Sequence, residues 1–304
     1  MSITSMMIRR NFGKSDAKRD AGLSMPEEIE SFDDILYGNE KKWQSLDVYR
    51  PKKPLENGKL KKLPVIVSVH GGGWVYGNKE VYRWYCMSLA ERGFAVVNFT
   101  YRLAPEYKFP AGIEDTNAVF SWILAHGDEY GFDTEHIFAV GDSAGGHMLC
   151  IYSAICSNPV YAAKFSFQPP KTKNGNFIPT AVALNCGVYH IDMDSPTGLQ
   201  TVKLMKDVLK KKGSDEENDM INPLPYITAD FPSTFIMTAN DDQTVDASQA
   251  KMLEAKLTEQ NVDFEKKVYG TDEKPLGHVF HCNIRMEEAG VCNNDECEFF
   301  RERI

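Results

Sequence analysis

Residues 136–146, HIFAVGDSAGG, carry a run with the apolar character of a buried strand straight into a cluster of small residues, with one serine at the junction. A serine at so sharp a strand-to-helix turn is held in a strained backbone conformation that lifts its hydroxyl above the sheet, and bulky neighbours would collide there. Gly141, Ala144, Gly145 and Gly146 meet that demand. The G-x-S-x-G spacing of Gly141-Asp142-Ser143-Ala144-Gly145 therefore points to an exposed nucleophile, Ser143. The competing reading, a glycine-rich turn that cradles phosphate, lacks both the GxxxxGK[ST] lysine and the GxGxxG spacing.

Around this turn, short β-branched runs alternate with longer helical stretches, the pattern of a largely parallel sheet covered by helices. LPVIVSVHGGG (63–73), GFAVVNFTY (93–101), PTAVALNCG (179–187), FPSTFIMTA (231–239) and VDFEKKVYG (262–270) read as further strands. WQSLDVYRP (43–51) alternates like an exposed edge or hairpin strand. Apolar spacing predicts helices around 78–92, within 109–127, from Ala144, over about 245–259 and from about Ile284. Glu114 and Asp115, in the first turn of the second of these, complement the positive end of the helix.

With 304 residues, 42% hydrophobic and 25% charged, the chain fits one large α/β domain folded nearly throughout. About 45 residues after Gly187 do not belong to a simple βα repeat. In that insertion Leu199, Val202, Met205, Val208 and Leu209 form one apolar stripe, and Gly213 is placed to end the helix. The insertion (about 187–230) and the first 35 or so residues are the expected cap over the strand ends, where open α/β sheets bind ligands.

The net charge of -9 argues against a nucleic-acid partner, which would need a positive surface to release counterions. The basic clusters Lys59, Lys61, Lys62 and Lys210 to Lys212 are short and read as solvated faces. No apolar run reaches signal-peptide or membrane-spanning length, so a cytoplasmic protein without a membrane partner is expected. Seven cysteines, an odd number scattered over predicted helices and strands, read as reduced thiols rather than a disulfide framework.

A second chemical signal is His70-Gly71-Gly72-Gly73 at the end of the first buried strand. Consecutive glycines allow neighbouring amides to converge, and amides so arranged can hold an oxyanion, each donor contributing about 3 to 4 kcal/mol to an acyl transfer. Gly72, Gly73 and Ala144 are the expected donors.

HGGGW at 70–74, YRLAPE at 101–106 with FPAGIED following, and GDSAGG at 141–146, in that order, closely resemble the hormone-sensitive-lipase-like esterases of the α/β-hydrolase superfamily. Weaker similarity runs through LDVYRP (46–51), NPL (222–224) and MTANDDQTVD (237–246), so it covers most of the chain from about residue 43. The resemblance implies an α/β-hydrolase fold, a mostly parallel central sheet flanked by helices with a small helical cap. It further implies hydrolysis of carboxylic esters without a metal or organic cofactor, and a possible homodimer, since dimers occur in the family.

The triad partners should follow in the order serine, acid, histidine. His278 in LGHVFH stands where the family has HGF, with Val279 replacing the glycine. His281 is a nearby rival, His147 reads as packing or polar lining, and His70 as orienting the glycine loop. The family's D-x-x-x-D register lands on Asp242 and Asp246. It selects Asp242 as the acid and leaves Asp246 as a helix-start residue and Asp241 as a solvated neighbour. Asp142 reads as a structural partner for nearby polar groups such as Arg102 or a backbone amide, and Trp74 and Tyr76 as pocket walls or ordinary core.

The expected substrate is a small, short-acyl ester, because Lys203, Lys206, Lys210 to Lys212 and the acidic stretch Asp215 to Asp219 suit water better than an oil interface. Rival readings are a non-catalytic small-molecule-binding protein on the same fold and a serine peptidase. A zinc site is a third, from His278, His281, Cys282, Cys292 and Cys297 or from His190, Asp192 and Asp194.

Overall fold

The computed structural model describes residues 1–52, 55–56, 59–194 and 199–304. Residues 195–198, within the expected cap, lie outside the described residues, as does the side chain of Leu199 from the predicted stripe. Eight strands form one sheet: β1 (Ile29–Leu36), β2 (Ser45–Pro51), β3 (Leu63–Val69), β4 (Ala95–Phe99), β5 (Phe132–Asp142), β6 (Ala181–Asn185), β7 (Ser233–Ala239) and β8 (Phe264–Tyr269). Their spatial order is β1-β2-β4-β3-β5-β6-β7-β8. β2 runs antiparallel to both neighbours, and every pairing from β4 to β8 is parallel.

The main helices are α1 (Ile3–Asp20), α2 (Lys79–Glu91), α3 (Ala111–Ala125), α4 (Ala144–Ser157), α5 (Leu199–Val208), α6 (Asp215–Met220), α7 (Ser248–Glu259) and α8 (Glu287–Arg301). The continuous apolar runs of β3 to β7 have a physical cause: both faces of the sheet are covered, so alternate side chains feed two separate cores. Val65, Val67 and Val69 pack with Phe120 of α3, Leu149 of α4 and Leu253 of α7. Ile66, Val96 and Phe138 pack instead with Leu89 of α2 and Phe300 of α8.

β2 is the hairpin strand that its alternation allowed, paired antiparallel with β1, and not an exposed edge, since its residues 46–49 are fully buried between β1 and β4. The polar positions that suggested solvent are internally paired. Asp47 takes Lys79 Nζ at 2.8 Å and the Tyr49 hydroxyl at 2.7 Å, while Arg50 Nε lies 2.7 Å from Glu30 Oε1. β1, whose sequence IESFDDIL carries no clear apolar period, takes the edge instead.

α1 is fastened along its length. Ser2 Oγ accepts the Ser5 amide as an N-cap, Ser5 Oγ donates to Asp207 at 2.6 Å, and Ile8 is buried. Arg9 donates to the carbonyls of Val75 and Ala104 and pairs with Glu106 at 2.7 Å. In the insertion Leu204, Met205, Val208 and Leu209 are buried. The acidic stretch is not wholly solvated as its charge suggested, because Glu217 is buried and accepts the amides of Lys211 and Gly213 at 2.8 and 3.0 Å. All seven cysteines are buried free thiols, and among the described residues no helix is long and apolar enough to cross a membrane.

Candidate active site

β5 ends at Asp142 and α4 begins at Ala144, leaving Ser143 alone at the turn with φ 52° and ψ -118°. That left-handed backbone costs a non-glycine residue on the order of 1 to 3 kcal/mol and persists only where its surroundings hold it. Here the Ser143 amide donates to the Asn185 carbonyl at 2.9 Å. Small neighbours are obligatory: a Cβ on Gly141 would lie 2.7 Å from the Gly145 carbonyl oxygen, and one on Gly145 would overlap the Val69 carbonyl.

The structure brings Ser143, His278 and Asp242 together. His278 Nε2 lies 2.9 Å from Ser143 Oγ, and His278 Nδ1 lies 2.7 Å from Asp242 Oδ2. Asp242, in the loop after β7, also accepts the amides of Thr244 and Val245 at 2.8 and 2.9 Å through Oδ1. Burial alone would raise its carboxyl, but the hydrogen bond and charge of His278 and those two amides hold it below the ordinary aspartate value. An ionised carboxylate on Nδ1 keeps the proton there and leaves Nε2 free to accept from the serine.

The neighbouring carboxylates are elsewhere. Asp241 is exposed and accepts from Gln243 at 2.7 Å, and Asp246 accepts the Ser248 amide at the start of α7. Val279 adopts φ 51° and ψ 33°, a glycine-like conformation in spite of its branched side chain, so the histidine loop keeps its left-handed turn.

His281, His147 and His70 are buried and stand outside the serine–histidine–aspartate chain. His281 is fully buried, edge-on to Tyr85, and burial lowers it to about 3. His147 accepts the Trp74 indole N–H on Nδ1 at 3.1 Å and donates from Nε2 to the Ile221 carbonyl at 2.7 Å, and burial lowers it to about 4. His70 stacks on Tyr101 at 4.0 Å beneath the glycine loop, and the Tyr101 hydroxyl donates to its carbonyl.

Gly72 and Gly73 have φ 112° and 61°, and a Cβ on Gly72 would overlap the Tyr76 carbonyl. Their amides donate to no group among the described residues, and the Ala144 amide is one of the unsatisfied first-turn donors of α4. The loop is held from below. The Gly71 amide donates to Tyr82 Oη at 2.9 Å, and the Tyr82 hydroxyl donates to Asp142 Oδ2 at 2.7 Å.

Asp142 therefore binds Tyr82 and not Arg102, and burial pushes its carboxyl up to about 6. Arg102 is taken by Glu114 and the buried Asp115, which also accepts the Arg102 amide at 2.7 Å. Asp115 thus also serves as a loop anchor, beyond the helix-end role its position suggested.

Tyr76 follows the core alternative, packed against the main core and away from the cavity that Trp74 lines. Its ring meets Phe12 edge-on and its hydroxyl donates to Asp16 at 2.8 Å, because the tight turn at Gly72 aims it at α1. Trp74 lines an apolar cavity with His147, Met148, Met205, Val208 and Ile221. The cavity is small, about 30 Å³. Of the cavity residues that come from the insertion, Met205 and Val208 were legible only as a stripe, and Ile221 carried no signal. Neither candidate zinc set comes together among the described residues; Cys186, Asp242 and His278 place ligand atoms within 4.8 Å of one another, and the latter two are already bonded to each other.

A family model described as BD-FAE matches residues 46–257, more than half of the chain. The chain belongs to the BD-FAE family. Membership of the hormone-sensitive-lipase-like esterases of the α/β-hydrolase superfamily, implied by the motifs, is borne out by its relatives and its fold. It is 30% identical over 256 residues to an acetyl esterase of Salmonella schwarzengrund, covering 79% of this chain and 72% of that protein. Similarity to esterase LipC of Mycobacterium tuberculosis is 26% over 231 residues, covering 73% of this chain and 54% of that protein. The chain thus spans about half the length of several curated relatives that it matches. Esterase B of Lactobacillus rhamnosis superimposes with a TM-score of 0.85 at 24% identity, over 99% of this chain and 97% of that one. The EstE1 carboxylesterase, cloned from a metagenomic library, gives 0.76 at 22% identity, over 100% and 99% of the two chains. The family thus has the α/β-hydrolase fold here, a mostly parallel sheet between two helical layers.

Proposed function

We propose that this BD-FAE member is a serine carboxylesterase acting on small, short-acyl esters. The observation that carries the reading is the pair of hydrogen bonds of His278, 2.9 Å to Ser143 Oγ and 2.7 Å to Asp242 Oδ2. In the proposed cycle His278 Nε2 takes the serine proton as Oγ bonds to the ester carbonyl carbon, and the amides of Gly72, Gly73 and Ala144 receive the oxyanion. The tetrahedral adduct breaks its bond to the alkoxy oxygen, which leaves as the alcohol with the proton from His278. Water then repeats the sequence on the acyl-serine and releases the acid. Asp242 holds the imidazole tautomer and stabilises its charged form.

Two observations support the finer reading. The apolar cavity beside Trp74 is small, which suits acetyl to butyryl groups better than long chains. A Cβ on Gly73 would meet Leu204 Cδ1 of α5 at 3.3 Å and Ile8 Cδ1 of α1 at 3.9 Å. The N-terminal helix and the insertion therefore serve as the cap over a single domain. A panel of p-nitrophenyl esters of graded chain length tests the proposal, together with active-site labelling by a fluorophosphonate. Turnover should be fastest for acetate or butyrate, and Ser143→Ala should lose both labelling and turnover by at least on the order of a thousandfold. Tight ester binding with no acyl-enzyme burst would support the non-catalytic binding protein instead.

A further inference from the structure

Beneath the nucleophile turn lies a carboxylate that the proposed cycle does not use. Glu296 of α8 has no exposed surface, and its oxygens take neutral donors, the Tyr85 hydroxyl at 2.8 Å and Asn185 Nδ2 at 2.6 Å. Burial pushes its carboxyl up to about 7. A carboxyl group placed here costs desolvation that a leucine would not, so packing alone does not account for it.

Asn185 is what Glu296 reaches. It is the last residue of β6, stands in register with Asp142 across the β5 ladder, and accepts the Ser143 amide through its main-chain oxygen at 2.9 Å. Its own Oδ1 has no partner among the described residues, so the hydrogen bond to Glu296 is the anchor of its side chain there. The residue after it, Cys186, has φ 48°, as Ser143 has φ 52°. Two left-handed backbone turns therefore face each other across one hydrogen bond, and both need an external clamp.

We propose that Glu296 is a positioning residue for Ser143: by holding the Asn185 side chain it fixes the end of β6, whose last carbonyl anchors the amide of the nucleophile. The inference rests on the reading of Ser143 as that nucleophile. A loosened β6 end lets the strained serine relax, and Oγ then leaves the line between His278 and the substrate carbonyl. Substrate binding in the cavity beside Trp74 is untouched by this, because Glu296 lies beneath the elbow on the face of the sheet covered by α2 and α8.

The test compares Glu296→Leu, Glu296→Gln, Asn185→Ala and the double variant Asn185→Ala/Glu296→Leu. Each is checked for folding by near-UV circular dichroism, then measured for kcat and KM with p-nitrophenyl butyrate and for the rate of fluorophosphonate labelling. Glu296→Leu should lower kcat and labelling about tenfold with KM within about twofold, as expected for a displaced reacting group. Glu296→Gln keeps an acceptor for Asn185 and should recover most of the loss. The double variant should be no worse than Asn185→Ala, since both act through one link. Wild-type kcat and labelling in folded Glu296→Leu would overturn the proposal, as would losses that multiply in the double variant. If Glu296→Leu does not fold, wild-type labelling in Asn185→Ala overturns it alone. Full turnover in Ser143→Ala is a separate outcome, which removes the nucleophile and with it the reason to position it.

Discussion

Two adjacent carboxylates, Asp241 and Asp242, diverge because successive residues leaving a strand point in different directions. Only Asp242 reaches His278, while Asp241 is exposed. Asp242→Asn should therefore lower kcat by roughly 10⁴-fold, since an amide favours the wrong histidine tautomer. Asp241→Asn should stay close to the parent, and kinetics on both folded variants at one pH checks the contrast. A severe defect in Asp241→Asn would mean that the histidine takes its partner from the other side of the loop. Gly72 makes an equally local prediction. With φ 112° and no space for a Cβ beside the Tyr76 carbonyl, Gly72→Ala must move the loop. Turnover should fall about 10² to 10³-fold, the scale of a lost oxyanion donor, with little change in the thermal midpoint of the sheet. Unchanged turnover would remove Gly72 from the oxyanion site.

At the scale of elements, α1 is held by directed contacts along its length. Arg9 joins it to two carbonyls and to Glu106, and Asp207 of α5 joins its start through Ser5. Arg9→Ala should leave the strands intact while amide hydrogen exchange within Ile3–Asp20 accelerates, because local opening draws on local contacts. Exchange in β3 to β6 should be unchanged. If α1 remained as protected as before, its remaining contacts through Ser5, Ile8 and Asp16 would be sufficient and Arg9 incidental. The same experiment bears on the proposed cap, since Ile8 and Leu204 approach Gly73 from α1 and α5.

For the whole molecule the buried carboxylates set a pH dependence. Burial raises Asp142 to about 6 and Glu296 to about 7, so the folded state holds protons that the unfolded chain has released. Their contribution to stability is complete below the unfolded carboxyl values and is lost as pH rises through the folded ones. Asp242, lowered on folding, acts in the opposite sense, and its contribution is lost only at the acid end. The groups acting on Glu296 include Tyr85 from α2, Arg92 just beyond its end, Asn185 from β6 and Asp142 from β5. Thermal midpoints should fall between about pH 5 and pH 8, and Glu296→Gln should flatten that fall because its amide does not titrate. A slope identical to the parent would mean that Glu296 keeps one protonation state throughout.

The sequence by itself determined the alternating strands and helices, the strained serine and the glycine loop, because apolar runs and compulsory small residues are local consequences of burial on both sheet faces and of backbone sterics. It also carried the order of Ser143, Asp242 and His278. Only the tertiary structure decided that β2 is interior, because Asp47 and Arg50 look solvated until Lys79 and Glu30 are brought to them. It likewise turned Tyr76 toward Asp16, gave Asp142 to Tyr82 and Arg102 to Asp115, and set Glu296 beneath Asn185 from 111 residues away. Those pairings depend on side chains distant in the chain meeting in a medium where an unpaired polar group is costly, and no local pattern encodes which partner will be within reach.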